Sequence, residues 1–230
     1  MIDKFLLSLP LSVMLAGAMS FPAQGAGETT PQCDARQAFV NLPIGVLDIL
    51  PGVTRQDMLT YFEADSVWQA PNVMGGVSFL RKASPDYLDV QISEVSQLTI
   101  KRLPYKGGCI FMTVYTVGLD GAAPDSELKF YTSEMKVLPR DKFIKMPELA
   151  DFLNVPKGNR NGTESLSDLE HLVAFPTYSF TVAQDDDLLK ASLTVGDYMT
   201  KEDYEILKPY IRPEGVSYSW TGSRFRILNH

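Results

Sequence analysis

Alternating side chains between residues 87 and 117 constrain the fold of this chain more than any other feature of its sequence. Apolar residues alternate with polar ones over 88–92 and again over 98–101, and a short polar stretch separates the two runs. This period of two is typical of half-buried strands joined by a tight turn. Residues 109–117 follow and are apolar on both faces of a strand. They predict a third strand that is covered on both sides.

The second half of the chain adds another hairpin. Residues 178–182 lead into three consecutive aspartates at 185–187, and alternating apolar and polar residues lead out over 189–195. Helical spacing of apolar residues after Thr54 and after Thr200 predicts two principal helices, each beginning with a pattern like a capping box. We therefore predict an α+β fold, mainly antiparallel sheet built from a meander and hairpins, with these helices packed on it. Helix precedes strand in both halves, and this order is compatible with two similar lobes.

Composition divides the chain into four segments. Residues 1–25 combine a basic residue, an apolar stretch and small residues at a cleavage position, which predicts a secretory signal peptide. An uncleaved membrane anchor is the alternative, and Pro10 argues against it. Residues 26–36 are predicted to be a flexible leader. An N-terminal α+β lobe at 37–140 and a C-terminal α+β lobe at 141–230 follow, with one continuous domain over 37–230 as the alternative.

The charge of the chain limits its partners. The formal net charge is −7, from 28 acidic and 21 basic residues, and the basic residues form no run. Binding to a phosphate backbone draws on clustered lysine and arginine, so we predict no nucleic-acid partner. After residue 25 no apolar run approaches the roughly 20 residues that span a membrane. We expect an exported product that is not membrane-spanning once the signal is cleaved.

Two cysteines, Cys33 and Cys109, are the only ones in the chain. Export would deliver both to an oxidising compartment, where a disulfide between them would close a long loop and contribute about 4 kcal/mol. The alternative is that Cys109 is a small buried hydrophobic residue while Cys33 stays in the leader without a partner. A catalytic thiol is not expected, because neither a Cys-x-x-Cys pair nor an obvious histidine partner accompanies them.

The sequence contains few of the residues from which catalytic and metal sites are built. Its two histidines are His171 and His230, whereas a zinc site takes about three or four ligands and a Ser-His-Asp triad needs a histidine in a pocket. No nucleophile elbow, phosphate-binding loop or zinc-protease motif occurs. The three aspartates at 185–187 are expected to face water. We therefore predict no catalytic residue, no metal and no cofactor.

The candidates for a binding function are aromatic residues near turns, namely Trp68, Tyr218 and Trp220, for which core packing is the alternative role. With a sheet as the scaffold, they predict a non-enzymatic module that binds an envelope protein, a peptide or a glycan-bearing partner through a sheet face or an edge. The alternative is a hydrolase directed at glycans or peptides, whose carboxylates cannot be located from their spacing. Two facing acids in a pocket would favour the hydrolase, and an exposed apolar patch would favour the binding module.

Short stretches spread over residues 39–225 carry a resemblance to a known family. They are Leu47-Asp-Ile-Leu50, Arg55-Gln-Asp-Met58, Asp86-Tyr-Leu88, Leu98-Thr-Ile-Lys-Arg-Leu-Pro104, Asp125-Ser, Phe130-Tyr131, Asp197-Tyr-Met199 and Leu207-Lys-Pro209. Through them the chain resembles the domain-of-unknown-function family 3256 of exported Bacteroidales proteins. The resemblance implies the periplasm or the cell surface of a Gram-negative bacterium. It implies no activity and no catalytic residue, and Cys33 lies outside its span.

Overall fold

A computed structural model describes residues 33–66, 68–121, 123–155 and 165–228 of the chain. These residues belong to one structural unit, Pro31–His230. The predicted signal peptide at 1–25, most of the predicted leader and His230 lie outside the described residues.

Seven antiparallel strands follow one another in chain order across the first sheet. Leu88 pairs with Ile100 across the first of the predicted hairpins, and the strand that contains residues 109–117 is buried on both faces. The predicted meander is therefore confirmed. The strands are β1 (Ala70–Pro71), β2 (Val77–Ala83), β3 (Tyr87–Ser93), β4 (Ser96–Tyr105), β5 (Gly108–Val117), β6 (Asp125–Thr132) and β7 (Val137–Leu138).

The turn between β4 and β5 shows how local sequence sets the register of this sheet. Tyr105 pairs with Gly108, so only Lys106 and Gly107 lie between the strands. Both have positive φ angles, 47° and 76°, which is the backbone of the two-residue turn whose twist matches that of the flanking strands. Glycine at position 107 adopts this conformation without steric cost.

A second antiparallel sheet is formed by the last part of the chain. Its strands are β8 (Tyr178–Val182), β9 (Leu188–Leu193), β10 (Val216–Trp220) and β11 (Phe225–Ile227), in the order β11-β10-β9-β8. Strands β8 and β9 are the predicted hairpin around the three aspartates. Strand β8 packs near β6 of the first sheet, where Phe180 N donates a hydrogen bond to Ser126 Oγ.

The helices are short. Thr200 accepts a hydrogen bond from Asp203 N and caps its helix as predicted, whereas the predicted start at Thr54 is wrong, because that helix begins at Gly52 after Pro51. None of the described helices is long and apolar enough to cross a membrane. The α-helices are α1 (Ala35–Val40), α2 (Gly52–Glu63), α3 (Leu166–Leu172) and α4 (Lys201–Leu207), and 3-10 turns occupy Arg140–Lys142, Leu149–Phe152, Gly196–Tyr198 and Lys208–Tyr210.

The first sheet lies between two apolar layers. Helices α1 and α2 pack against one face, where Phe39 and Met58 join Ile100 in the first cluster. The second sheet packs against the other face, where Phe180 joins Phe130 in the second cluster. Burial of large side chains on both faces contributes about 1.5 to 3 kcal/mol for each of them and is the main stabilising term. The predicted α+β class, mainly antiparallel sheet with short helices, is confirmed.

A disulfide bond joins Cys33 to Cys109 and ties the start of the described chain to β5, with 5.9 Å between their Cα atoms. Asp34 then caps α1 by accepting a hydrogen bond from Arg36 N. The hydrogen bond from the Arg36 side chain holds the pKa of the Asp34 carboxyl below its ordinary value. Ala35 and Arg36, at the end of the predicted leader, belong to this helix.

Candidate functional site

The three aromatic candidates lie in packed surroundings. Trp68 is half-buried against the first cluster, with its ring 5.0 Å from that of Tyr61. Trp220 is half-buried against the second cluster, on the other face of the first sheet, and its Nε1 donates to the carbonyl oxygen of Pro104. Tyr218 is only 1% exposed. The structure does not bring Trp68 together with the other two.

Tyr218 differs from an ordinary core residue in its hydroxyl group. That oxygen is buried and has no hydrogen-bond partner among the described residues. Burial, followed by the charge of Asp151, raises the pKa of the Tyr218 hydroxyl. The phenol therefore stays protonated at neutral pH and is not poised to act as a base.

The predicted alternative of a hydrolase concerns the described carboxyl groups. A glycosidase-like general acid needs a raised pKa. Where the pKa of a described carboxyl group is clearly shifted, it is lowered, as at Asp34, Glu134, Glu148 and Asp168. His171 lies exposed on α3. Within the described ranges no group of three or more histidine, cysteine, aspartate or glutamate side chains is placed to hold a metal ion.

One end of the first sheet exposes a group of aliphatic side chains, which we call the apolar rim. Met74 is 79% exposed and Val73 is 64% exposed. Met74, Val77 and Val95 line one open cleft of about 470 Å³. Leu119 N donates to the carbonyl oxygen of Val95, so the end of β5 adjoins the turn between β3 and β4. The apolar rim consists of Val73, Met74, Val77, Val95, Val117 and Leu119.

Buried Asn72 holds the loop that presents the two most exposed residues of the apolar rim. Its Oδ1 accepts hydrogen bonds from Met74 N and Gly76 N, both at 3.1 Å. Its Nδ2 donates to Ser78 Oγ and to the carbonyl oxygen of Ile92. Gly75 completes the turn with φ +82°. The loop is therefore fixed before any partner arrives, and preorganisation of this kind lowers the entropic cost of binding.

The substitution Asn72→Ala tests this role. We expect it to lower the free energy of unfolding by about 2 kcal/mol, since it leaves buried polar groups without partners. Hydrogen exchange at the amides of Met74 and Gly76 should accelerate more than elsewhere. Asn154→Ala is the matched control, because Asn154 is exposed. Unchanged exchange at the two amides would show that Asn72 does not hold the loop.

The aspartate hairpin is anchored by a residue that the sequence did not single out. Lys101 on β4 is buried, and its Nζ donates to the carbonyl oxygens of Ala183, Gln184 and Asp186, at 3.3, 2.8 and 2.8 Å. The carboxylate of Asp187 lies 3.6 Å from the same nitrogen. These contacts satisfy the ammonium group and attach the second sheet to the first. Alternation along β4 predicts that Lys101 lies on the polar face of a half-buried strand. This prediction is wrong, because the aspartate hairpin covers that face and buries Lys101.

The class of protein defined by these features is an α+β protein whose meander sheet exposes an apolar surface. Its chain belongs to the family described as Protein of unknown function (DUF3256), whose model matches residues 30–225. The resemblance seen in the sequence is thereby confirmed, except that the match includes Cys33, which was predicted to lie outside it. A search of curated proteins finds no match. Among solved structures, a domain of an uncharacterised protein from Porphyromonas gingivalis W83 is similar, with a TM-score of 0.71 and 21% identity over 85% of this chain and 98% of that chain. At 21% identity this similarity shows that the two chains share a fold.

Proposed function

We propose that this protein is an exported, non-enzymatic binding module that holds an aliphatic segment of a partner protein on its apolar rim. The observation that carries the proposal is the exposure of six aliphatic side chains at one end of the sheet, three of which, Met74, Val77 and Val95, line one cleft. Exposed apolar patches with polar surroundings mark interaction surfaces. The rim is held in place by Asn72 and by the sheet itself, so its shape exists before binding.

The chemistry of the apolar rim favours a polypeptide over a glycan or a membrane. Its members are aliphatic and offer no aromatic ring on which a sugar could stack. Glu94 is the one charged residue among those that line the cleft, so an anionic membrane surface would find no cation there. Gly75 and Gly76 also line this cleft, and the N–H groups of both are bonded to Asn72. The cleft therefore offers mainly apolar side chains, which match the aliphatic side chains of a peptide.

The proposed location is the envelope of a Gram-negative bacterium, in the periplasm or at the cell surface. The disulfide between Cys33 and Cys109 supports this location, because such bonds persist in oxidising compartments and are rare in the cytosol. The signal peptide predicted at residues 1–25 points the same way.

Selection of random displayed peptides on the purified protein tests the proposal. We expect the selected peptides to be rich in aliphatic residues. The double substitution Met74→Lys/Val95→Lys should weaken their binding at least about tenfold, since each buried aliphatic side chain contributes about 1.5 to 3 kcal/mol. The matched control is Val53→Lys/Phe175→Lys, because both side chains are more than 70% exposed away from the cleft lining.

Two results would contradict the proposed function. The first is that the selected peptides bind the Met74→Lys/Val95→Lys variant as tightly as they bind the native protein. The second is turnover of a glycan or peptide panel by the purified protein, which would favour the hydrolase. Photo-crosslinking from position 74 in cells, compared with position 175, then identifies the natural partner.

A further inference from the structure

A cleft at the edge of the second sheet gathers cations from two distant parts of the chain. Lys145, Arg224 and Arg226 line it, and its volume is about 360 Å³. Phe225 N donates to the carbonyl oxygen of Phe143 at 2.6 Å, which places β11 beside the segment that carries Lys145. The fold thus builds a basic cluster that is not visible as a run in the sequence.

The backbone that carries these cations is held by buried aromatic rings. The ring of Phe143 stacks on that of Phe130 at 5.0 Å, and the ring of Phe225 meets that of Trp220 edge-on at 5.1 Å. Phe143 and Phe225 are 3% and 2% exposed. Because side chains alternate along a strand, the buried Phe225 directs Arg224 and Arg226 away from the core together.

The turn before β11 adds a second restraint. Thr221 N and the Thr221 hydroxyl both donate to the carbonyl oxygen of Arg224, at 3.0 and 2.8 Å. Gly222 has φ +83° and lets the chain reverse within this turn. The backbone at the first arginine is therefore fixed before any ligand binds.

Among the described residues, the two arginines differ from Lys145 in having no carboxylate partner. Lys145 Nζ lies 2.8 Å from the Glu148 carboxylate. Among the described residues, by contrast, no carboxylate lies within 4.0 Å of Arg224 or Arg226. The chain has a net charge of −7, whereas the two arginines give this cleft a local positive charge. An anion placed there would be attracted by both guanidinium groups.

We propose that this cleft binds a phosphate-type oxyanion, either free or carried by a lipid head group. A guanidinium group presents parallel donors that match phosphate oxygens. Arg224 and Arg226 are both exposed and offer two such groups at one cleft. Lys145, whose ammonium group is paired with Glu148, lines the same cleft. The site is separate from the apolar rim and does not depend on the proposed function.

Titration of the full protein with inorganic phosphate, followed by calorimetry and by amide shifts in NMR spectra, tests the free form of the ligand. Cosedimentation with phosphatidylglycerol vesicles, compared with phosphatidylcholine vesicles, tests the head group. We expect Arg224→Gln/Arg226→Gln to weaken binding at least about tenfold, since charge-assisted hydrogen bonds are lost. Lys82→Gln/Lys201→Gln changes the net charge equally at exposed positions and should bind as the native protein does.

The two arms of the experiment distinguish the sources. Binding of phosphate that is lost in the arginine variant supports the site and identifies a free oxyanion. Binding confined to anionic vesicles, and lost in the same variant, supports it and identifies a head group. Arg224→Lys/Arg226→Lys keeps the charge without the paired donors and should retain partial binding. If neither ligand binds, the proposal is overturned. It is also overturned if Lys82→Gln/Lys201→Gln weakens binding as much as Arg224→Gln/Arg226→Gln does.

Discussion

Replacing both Cys33 and Cys109 by alanine is expected to lower the free energy of unfolding by about 4 kcal/mol. The disulfide spans a sequence separation of 76 residues, so its removal restores considerable loop entropy to the unfolded chain. Cys33 lies next to α1, whose six residues are too few to be stable in water by themselves. Loss of the bond should therefore release α1 from the sheet before the rest of the domain unfolds.

Equilibrium unfolding in urea separates the contribution of the cross-link to stability from the contribution of packing by the two sulfur atoms. The native chain is measured oxidised and reduced, and each is compared with the double alanine variant. We expect the reduced native chain to lose most of the stabilisation and the alanine variant to lose little more. If reduction changes the free energy of unfolding by less than about 1 kcal/mol, the chain-entropy argument does not hold for this loop.

The strands were predictable because their signals are local. Period-two alternation places Leu88 and Ile100 on the same face, and the structure pairs them across β3 and β4. Thr200 also caps α4 as the pattern indicated, since a hydroxyl that binds the amide of the third helical residue needs nothing from the rest of the fold.

The beginnings of α1 and α2 could not be predicted in the same way. The pattern at Thr54 resembled a capping box, but Arg55 inside it is buried and donates to the carbonyl oxygens of Phe39 and Leu42. We attribute the earlier start of the helix, at Gly52, to these tertiary contacts. Helix α1 follows a leader whose composition is that of a flexible segment, and it is held by burial of Phe39 and by the nearby disulfide.

The candidate site was missed for a physical reason. Exposure is a tertiary property. Val95 lies in the stretch that is predicted to be a polar turn, and Val117 ends the strand that is predicted to be covered on both faces, so neither stands out as part of an exposed apolar surface. Aromatic residues were favoured instead since they are enriched at interfaces, yet Tyr218 is core and Trp220 is half-buried. One signal was present: Val73 and Met74 stand between Asn72 and two glycines, in a turn where polar residues are the rule.

Lys101→Met is expected to lower the free energy of unfolding by about 3 kcal/mol. Methionine fills a similar volume but donates no hydrogen bond, so the carbonyl oxygens of Ala183, Gln184 and Asp186 lose their common donor. The Asp187 carboxylate loses its cation at the same time. Because the lysine side chain is only 5% exposed, water cannot replace the ammonium group without rearrangement of the hairpin.

The expected result combines global destabilisation with local opening. Urea unfolding measures the first, and hydrogen exchange at residues 184–188 measures the second. Lys82→Met, at an exposed position on β2, is the matched control and should change stability by less than about 0.5 kcal/mol. A Lys101→Met variant as stable as this control would mean that Lys101 does not contribute measurably to holding the two sheets together. Faster exchange at the hairpin without global loss would instead limit the role of Lys101 to local anchoring.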